Sequence, residues 1–179
     1  MNTPPIHSMF TLFAKMLLAG SLASASAALA EDEICASCGQ QVSVGGSFTH
    51  HKDDPLVVIE GMPLNPAAFR EDINGTNFTA TIARLPAGEY TIIIGAAETV
   101  AGVVGESVFD VASGDVALAR DFDIFATSGG VRKAALISGT VDHEDDPLRG
   151  PLKISFVSSK GRAKFNTLEV KISNSQLPI

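Results

Sequence analysis

Tryptophan is absent from the 179 residues, tyrosine occurs once, as Tyr90, and cysteine twice. So few amphipathic rings leave little with which to stack on a sugar face or on a nucleobase. Basic residues are also scarce: Lys and Arg number 13 against 20 Asp and Glu, a net charge of -7. Phosphate backbones and anionic membrane surfaces both call for a basic face, so nucleic acid and membrane are excluded as partners. Catalytic signatures are missing too. The chain has no Gly-x-Ser-x-Gly elbow and no His-Glu-x-x-His helix, so nothing marks a converging nucleophile, base and orienter. The expectation is a protein that is not an enzyme and uses no cofactor.

No hydrophobic run reaches the ~20 residues needed to cross a bilayer. The apolar stretch Met16–Ala23 spans only 8 residues and follows Lys15; Ala28-Leu29-Ala30 then supplies the small-x-small pattern of a signal-peptidase site. Residues 1–30 therefore read as a signal peptide, and the product as secreted or periplasmic. The remainder, roughly 150 residues, is the size of one domain with a real core.

Both cysteines lie just beyond, in Cys35-Ala36-Ser37-Cys38, within an N-terminal arm taken as 31–41. An oxidising compartment favours a disulfide between Cys35 and Cys38. A redox pair, half a zinc site and free thiols stay open.

Turn signals recur every 8–15 residues and no helical stripe is evident. Val42-Ser43-Val44 ends at Gly45-Gly46; Leu56–Ile59 is a short apolar run; Phe78–Ala83 alternates at period two. Tyr90–Ile94 is the strongest strand. Ser107–Val111 and Phe122–Phe125 flank the turn Ser113-Gly114-Asp115. Ala134–Val141, Leu152–Val157 and Thr167–Ile172 follow, and Pro63–Asp72 has room for a helical turn. Short strands at this spacing predict an all-β sandwich or barrel.

Four segments carry a resemblance. Val42-Ser43-Val44-Gly45-Gly46 opens the domain. Gly88-Glu89-Tyr90-Thr91-Ile92-Ile93-Ile94 leads to Ala97-Glu98. Val108-Phe109-Asp110-Val111 precedes Asp121-Phe122-Asp123-Ile124-Phe125. Leu152–Val157 leads to Ala163-Lys164-Phe165-Asn166-Thr167-Leu168-Glu169-Val170. In this order and spacing they resemble the malectin family of carbohydrate-binding domains, over about 42–173, with 174–179 as a tail. The resemblance implies a β-sandwich of galactose-binding-like jelly-roll type that binds carbohydrate without catalysis. A degenerate relative would be a structural or protein-interaction domain.

The family holds sugar with loop aromatics and an Asp near the last strand. Here Ala97-Glu98 is followed by Thr99, Val100 and Ala101, and the acidic position falls in Lys160-Gly161-Arg162. Glu98, Arg162 and Lys164 remain as polar candidates to ring an altered carbohydrate site, with Phe48 and Phe69 as possible rings from other loops. Within the strand Val108–Val111, alternation puts Asp110 opposite Phe109 and Val111. Asp110 and Asp123 are expected to accept backbone N–H groups near strand ends.

His50-His51-Lys52-Asp53-Asp54 and His143-Glu144-Asp145-Asp146 are dense in potential ligands, but neither has the alternating oxygens and turning Gly of a calcium loop. Both read as solvated turns, and no metal site is expected. Asn74-Gly75-Thr76 and Asn77-Phe78-Thr79 are glycosylation sequons.

Overall fold

A computed structural model of the chain describes residues 30–32, 41–52, 60, 69, 71–99, 102–144 and 150–173. Among the described residues, ten strands and one short helix run in the order β1 (Ala30–Asp32), β2 (Gln41–Lys52), β3 (Glu71–Ala83), β4 (Gly88–Ala97), β5 (Val108–Ser113), β6 (Val116–Asp123), α1 (Ile124–Ser128), β7 (Ala134–His143), β8 (Leu152–Lys160), β9 (Ala163–Phe165) and β10 (Thr167–Ile172). They form two antiparallel sheets, the sandwich of the two all-β architectures, sandwich or barrel, that the turn spacing predicts. The larger is ordered β1-β2-β3-β8-β5-β6, with β9 also on β3; the smaller is β10-β4-β7.

Alternation along the strands explains why the sheets face each other. Tyr90, Ile92, Ile94 and Ala96 of β4 are buried, as are Phe78, Ala80 and Ile82 of β3 and Leu152, Ile154 and Phe156 of β8. Period-two placement puts each set on one face of its sheet. The large sheet contributes a ring stack: Phe156 lies 4.7 Å from Phe78 and 5.0 Å from Phe165 between centroids, both nearly parallel. Burying an aromatic of this size contributes on the order of 2–3 kcal/mol, so this trio anchors the core under β3, β8 and β9. Tyr90 fits the same core because its hydroxyl donates to the Pro86 carbonyl at 2.9 Å.

Several strand limits differ from the sequence reading. β2 does not stop at Gly45-Gly46 but continues to Lys52, and a register shift between Ser47 and Phe48 absorbs the irregularity. Gly75 stands opposite that shift. A Cβ there would overlap the Ser47 carbonyl and the Phe48 backbone, so only glycine lets β2 and β3 approach so closely. Phe122-Asp123-Ile124-Phe125 is not one strand: Asp123 ends β6 and caps α1, its carboxylate accepting from the Ala126 amide. A short N-capped turn of this kind lacks the length for a helical stripe, which is why periodicity missed it. Asp72, expected at the end of a helical turn, lies in β3; the rest of that stretch, apart from Phe69 and Glu71, lies outside the described residues. So do Leu56–Ile59, Cys35 and Cys38.

Candidate functional site

The polar residues gather at one end of the sandwich, where β2 ends, β3 begins, β4 ends and β9 begins. β8 places them there. It pairs with β3 from Leu152 to Val157, and β9 resumes on β3 at Ala163, opposite Gly75. Residues 158–162 therefore leave the β3 ladder against Thr76 alone. The far side of β8 stays on β5 as far as Lys160, and the chain turns back at Gly161, whose φ of 66° is left-handed. A Cβ at Gly161 would collide with the Glu106 carbonyl, so glycine is doubly required. This excursion projects Lys160 and Arg162, both exposed.

Glu98 and Lys164, two of the three sequence candidates, are not solvated charges. Glu98 is 3% exposed and Lys164 8%; the ammonium donates to Glu98 Oε2 at 3.1 Å and lies 3.8 Å from Asp72 Oδ2. Asp72 is itself 2% exposed and was not singled out from the sequence. It accepts from the Asn74 amide and approaches His51 Nδ1 at 3.3 Å. One buried cation thus lies between two buried carboxylates drawn from β3, β9 and the end of β4. Ions this far from water persist only with such partners. Their burial makes them the floor of the site.

Arg162, the third candidate, is at the surface above them. Its Nη2 donates to Thr49 Oγ1 at 3.0 Å and to the Asn74 carbonyl at 3.3 Å, and Thr49 Oγ1 also lies 2.9 Å from Asn74 Oδ1. Asn166 closes the floor from the side. Its amide donates to the carbonyls of Phe69 and Glu71, and its oxygen accepts from the Ala97 amide, all at 2.8–3.0 Å. It stands where the chain passes from β9 in one sheet to β10 in the other. The Ala-Lys-Phe-Asn run was visible in the sequence; the links to Asp72, Thr49 and Asn74 are long-range and had no local signal.

The surrounding loops are braced as well. The Gly102 amide donates to Glu106 Oε2 at 3.1 Å and the Gly105 amide to Asp123, presenting Val103 and Val104 at 61% and 66% exposure. The Arg132 amide donates to the Glu98 carbonyl at 2.7 Å, bringing the α1–β7 turn to the same end. Asp110 accepts from the Asp121 amide at 2.8 Å, so both aspartates take the backbone role expected of them. Of the ring candidates, Phe69 is fully buried and Phe48 packs against the core.

His50, His51 and Lys52 do not form a solvated turn. They end β2, opposite Ile73, Asp72 and Glu71. Lys52 pairs with Glu71 Oε1 at 3.0 Å, while His50 Nε2 lies 3.3 Å from Glu71 Oε2, close enough for an ion pair but outside hydrogen-bonding geometry. His143 ends β7 and meets the Tyr90 ring edge-on at 6.3 Å. Among the described residues no group of three or more His, Cys, Asp or Glu is placed to hold a metal ion, and no helix is long and apolar enough to cross a membrane.

Solved structures resemble this sandwich, three of them as follows. The ANXUR2 extracellular domain from Arabidopsis thaliana matches with a TM-score of 0.63 at 11% identity, covering 75% of this chain and 41% of that one. The ANX1 ectodomain from Arabidopsis thaliana gives 0.61 at 10%, covering 73% and 40%. A Bacteroides uniformis beta-glucuronidase gives 0.59 at 14%, covering 80% of this chain but 15% of the enzyme. The chain therefore spans about two fifths of the plant ectodomains and a small part of the glucuronidase. Such identities show the shared fold. No curated protein sequence matches the chain. The malectin domain family model matches residues 64–176, which takes in β3 through β10 and every candidate side chain above apart from those on β2, and the chain belongs to that family.

Proposed function

We propose that this protein is an exported, non-catalytic carbohydrate-binding domain, secreted or periplasmic once residues 1–30 are removed, with 42–173 as its folded unit. The observation that carries the reading is a malectin sandwich whose polar residues are fixed at one end by a buried Asp72–Lys164–Glu98 array. A rigid scaffold with braced end loops suits recognition of a hydroxyl-rich ligand, because ordering is already complete before binding. Arg162, Thr49 and Asn74 supply donors and acceptors at the surface; Lys164 and Glu98 hold the strands that position them. Glu98 and Asp72 are both held against Lys164, so neither is disposed as one of two opposed carboxylates flanking a glycosidic bond.

Glycan-array screening of the full chain expressed with its leader tests this. Retention of one or more glycans, without hydrolysis, is the expected result; a folded protein retained by none contradicts it. A second reading is a protein-interaction domain, favoured by the exposed Val103–Val104 tip. Under that reading glycans fail to bind, and replacing both valines with serine abolishes partner capture.

A further inference from the structure

We infer that the carbohydrate taken at this end is anionic, bearing carboxylate or sulfate groups. The inference rests on the carbohydrate-binding reading and names its substrate class. The evidence begins with the cations. Among the described residues Lys52, Arg120, Lys164 and Lys171 have carboxylate partners. Arg84, Arg132, Lys133, Lys153, Lys160 and Arg162 have none there; of these, Arg132 and Lys133 lie on the turn before β7, and Lys160 and Arg162 at the end of β8 and just after it, both segments reaching the candidate end. The Arg132 amide is bonded to Glu98, and Arg162 lies two residues before Lys164, which holds Glu98 from the other side.

The carboxylates around them are already engaged. Glu98 and Asp72 are buried against Lys164, Glu106 accepts from Gly102, and Asp123 from Gly105 and Ala126. Glu71 is shared by His50 and Lys52. Glu60 is exposed and joined to the same turn through backbone bonds with Arg132 and Ala134. In a chain of net charge -7, the four cations at this end are not tied to a carboxylate in an ion pair and are left to meet an anionic group.

Arg162 has the geometry for such a ligand. Nη2 is anchored on Thr49 and Asn74, which fixes the guanidinium plane and leaves its other N–H groups for a planar carboxylate or a sulfate, the groups that arginine's fork matches best. Neutral sugars, by contrast, draw much of their affinity from ring faces. The chain has no Trp, Tyr90 is buried and bonded to Pro86, and Phe69, Phe78, Phe109, Phe156 and Phe165 are all core. Phe48 and Phe122 are partly buried and packed against the core, so ring faces are few at this end and ionic contacts are the main source of affinity there.

Affinity electrophoresis of the full chain in gels holding dextran, dextran sulfate or alginate tests the inference. Dextran and its sulfate share a backbone, so the difference isolates charge; alginate separates carboxylate from sulfate recognition. Retardation by dextran sulfate, alginate or both is expected, with dextran at least roughly tenfold weaker. The double variant Lys160→Gln/Arg162→Gln should lose roughly tenfold of that retardation. Arg84→Gln/Lys153→Gln, at the opposite end of β3 and β8, should lose none. Equal retardation by dextran overturns the anionic class while leaving carbohydrate binding intact. Equal loss in both double variants overturns the site. No retardation in these gels, together with no hit on a neutral glycan array, overturns both readings.

Discussion

Lys164 shows how much a single side chain carries here. At 8% exposure it faces two carboxylates that are themselves buried. Lys164→Met keeps the apolar stem and removes the charge, leaving Glu98 buried without its cation and Asp72 with only Asn74 and His51 beside it. A loss of about 3–5 kcal/mol in urea unfolding is expected, as for other broken buried pairs. Adding Glu98→Met should return part of that loss, because one uncompensated carboxylate disappears; a purely additive double variant would mean that the pair does not interact. Tyr90 offers an independent check. Burial raises its phenol above the ordinary value of 10.0. The folded state then keeps a proton that the unfolded state releases, so this contribution to stability is complete below pH 10.0 and declines as pH rises beyond it. Because tyrosine occurs once, tyrosinate absorbance reads the site directly. Its appearance should lag a model tyrosine and coincide with loss of β-sheet circular dichroism; ionisation at the ordinary value with the sheets intact would contradict the buried placement.

At the scale of elements, Asp123 joins three features: it ends β6, caps α1 and accepts from Gly105. Asp123→Ala should cost about 1–2 kcal/mol through the lost cap and free the 102–107 loop, seen as faster amide exchange at Gly102 and Gly105. Unchanged exchange would mean the loop is held elsewhere. Gly161→Ala should be more harmful locally, since it meets both a left-handed φ and the Glu106 carbonyl; lost binding with a preserved core is expected. The strands themselves were largely legible. Phe78–Ala83, Tyr90–Ile94 and Thr167–Ile172 alternate cleanly, and each lies in a strand. What escaped was set by neighbours: β2 crosses Gly45-Gly46 because β3 pairs with it throughout, and α1 exists because Asp123 caps it. Pairing partners and caps act across the fold, where a period-two pattern carries no information.

For the molecule as a whole, the resemblance legible in four short segments is the family the sandwich belongs to. The site was legible only in part. Glu98, Arg162 and Lys164 were visible because they occupy motif positions, yet nothing local distinguished two buried partners from one exposed donor. That distinction comes from β9 returning to β3 beneath the end of β4. Asp72, Asn74 and Thr49 reach the cluster through strand register alone. The central claim is that carbohydrate is recognised at this one end of the sandwich. Its most direct test is amide chemical-shift mapping of the full chain titrated with a glycan that the array retains. The account predicts shifts concentrated at Thr49, Asn74, Gly161 and Arg162, with the Arg84–Ala87 turn silent. Shifts centred on that opposite turn, or spread evenly over the outer sheet faces, would contradict it.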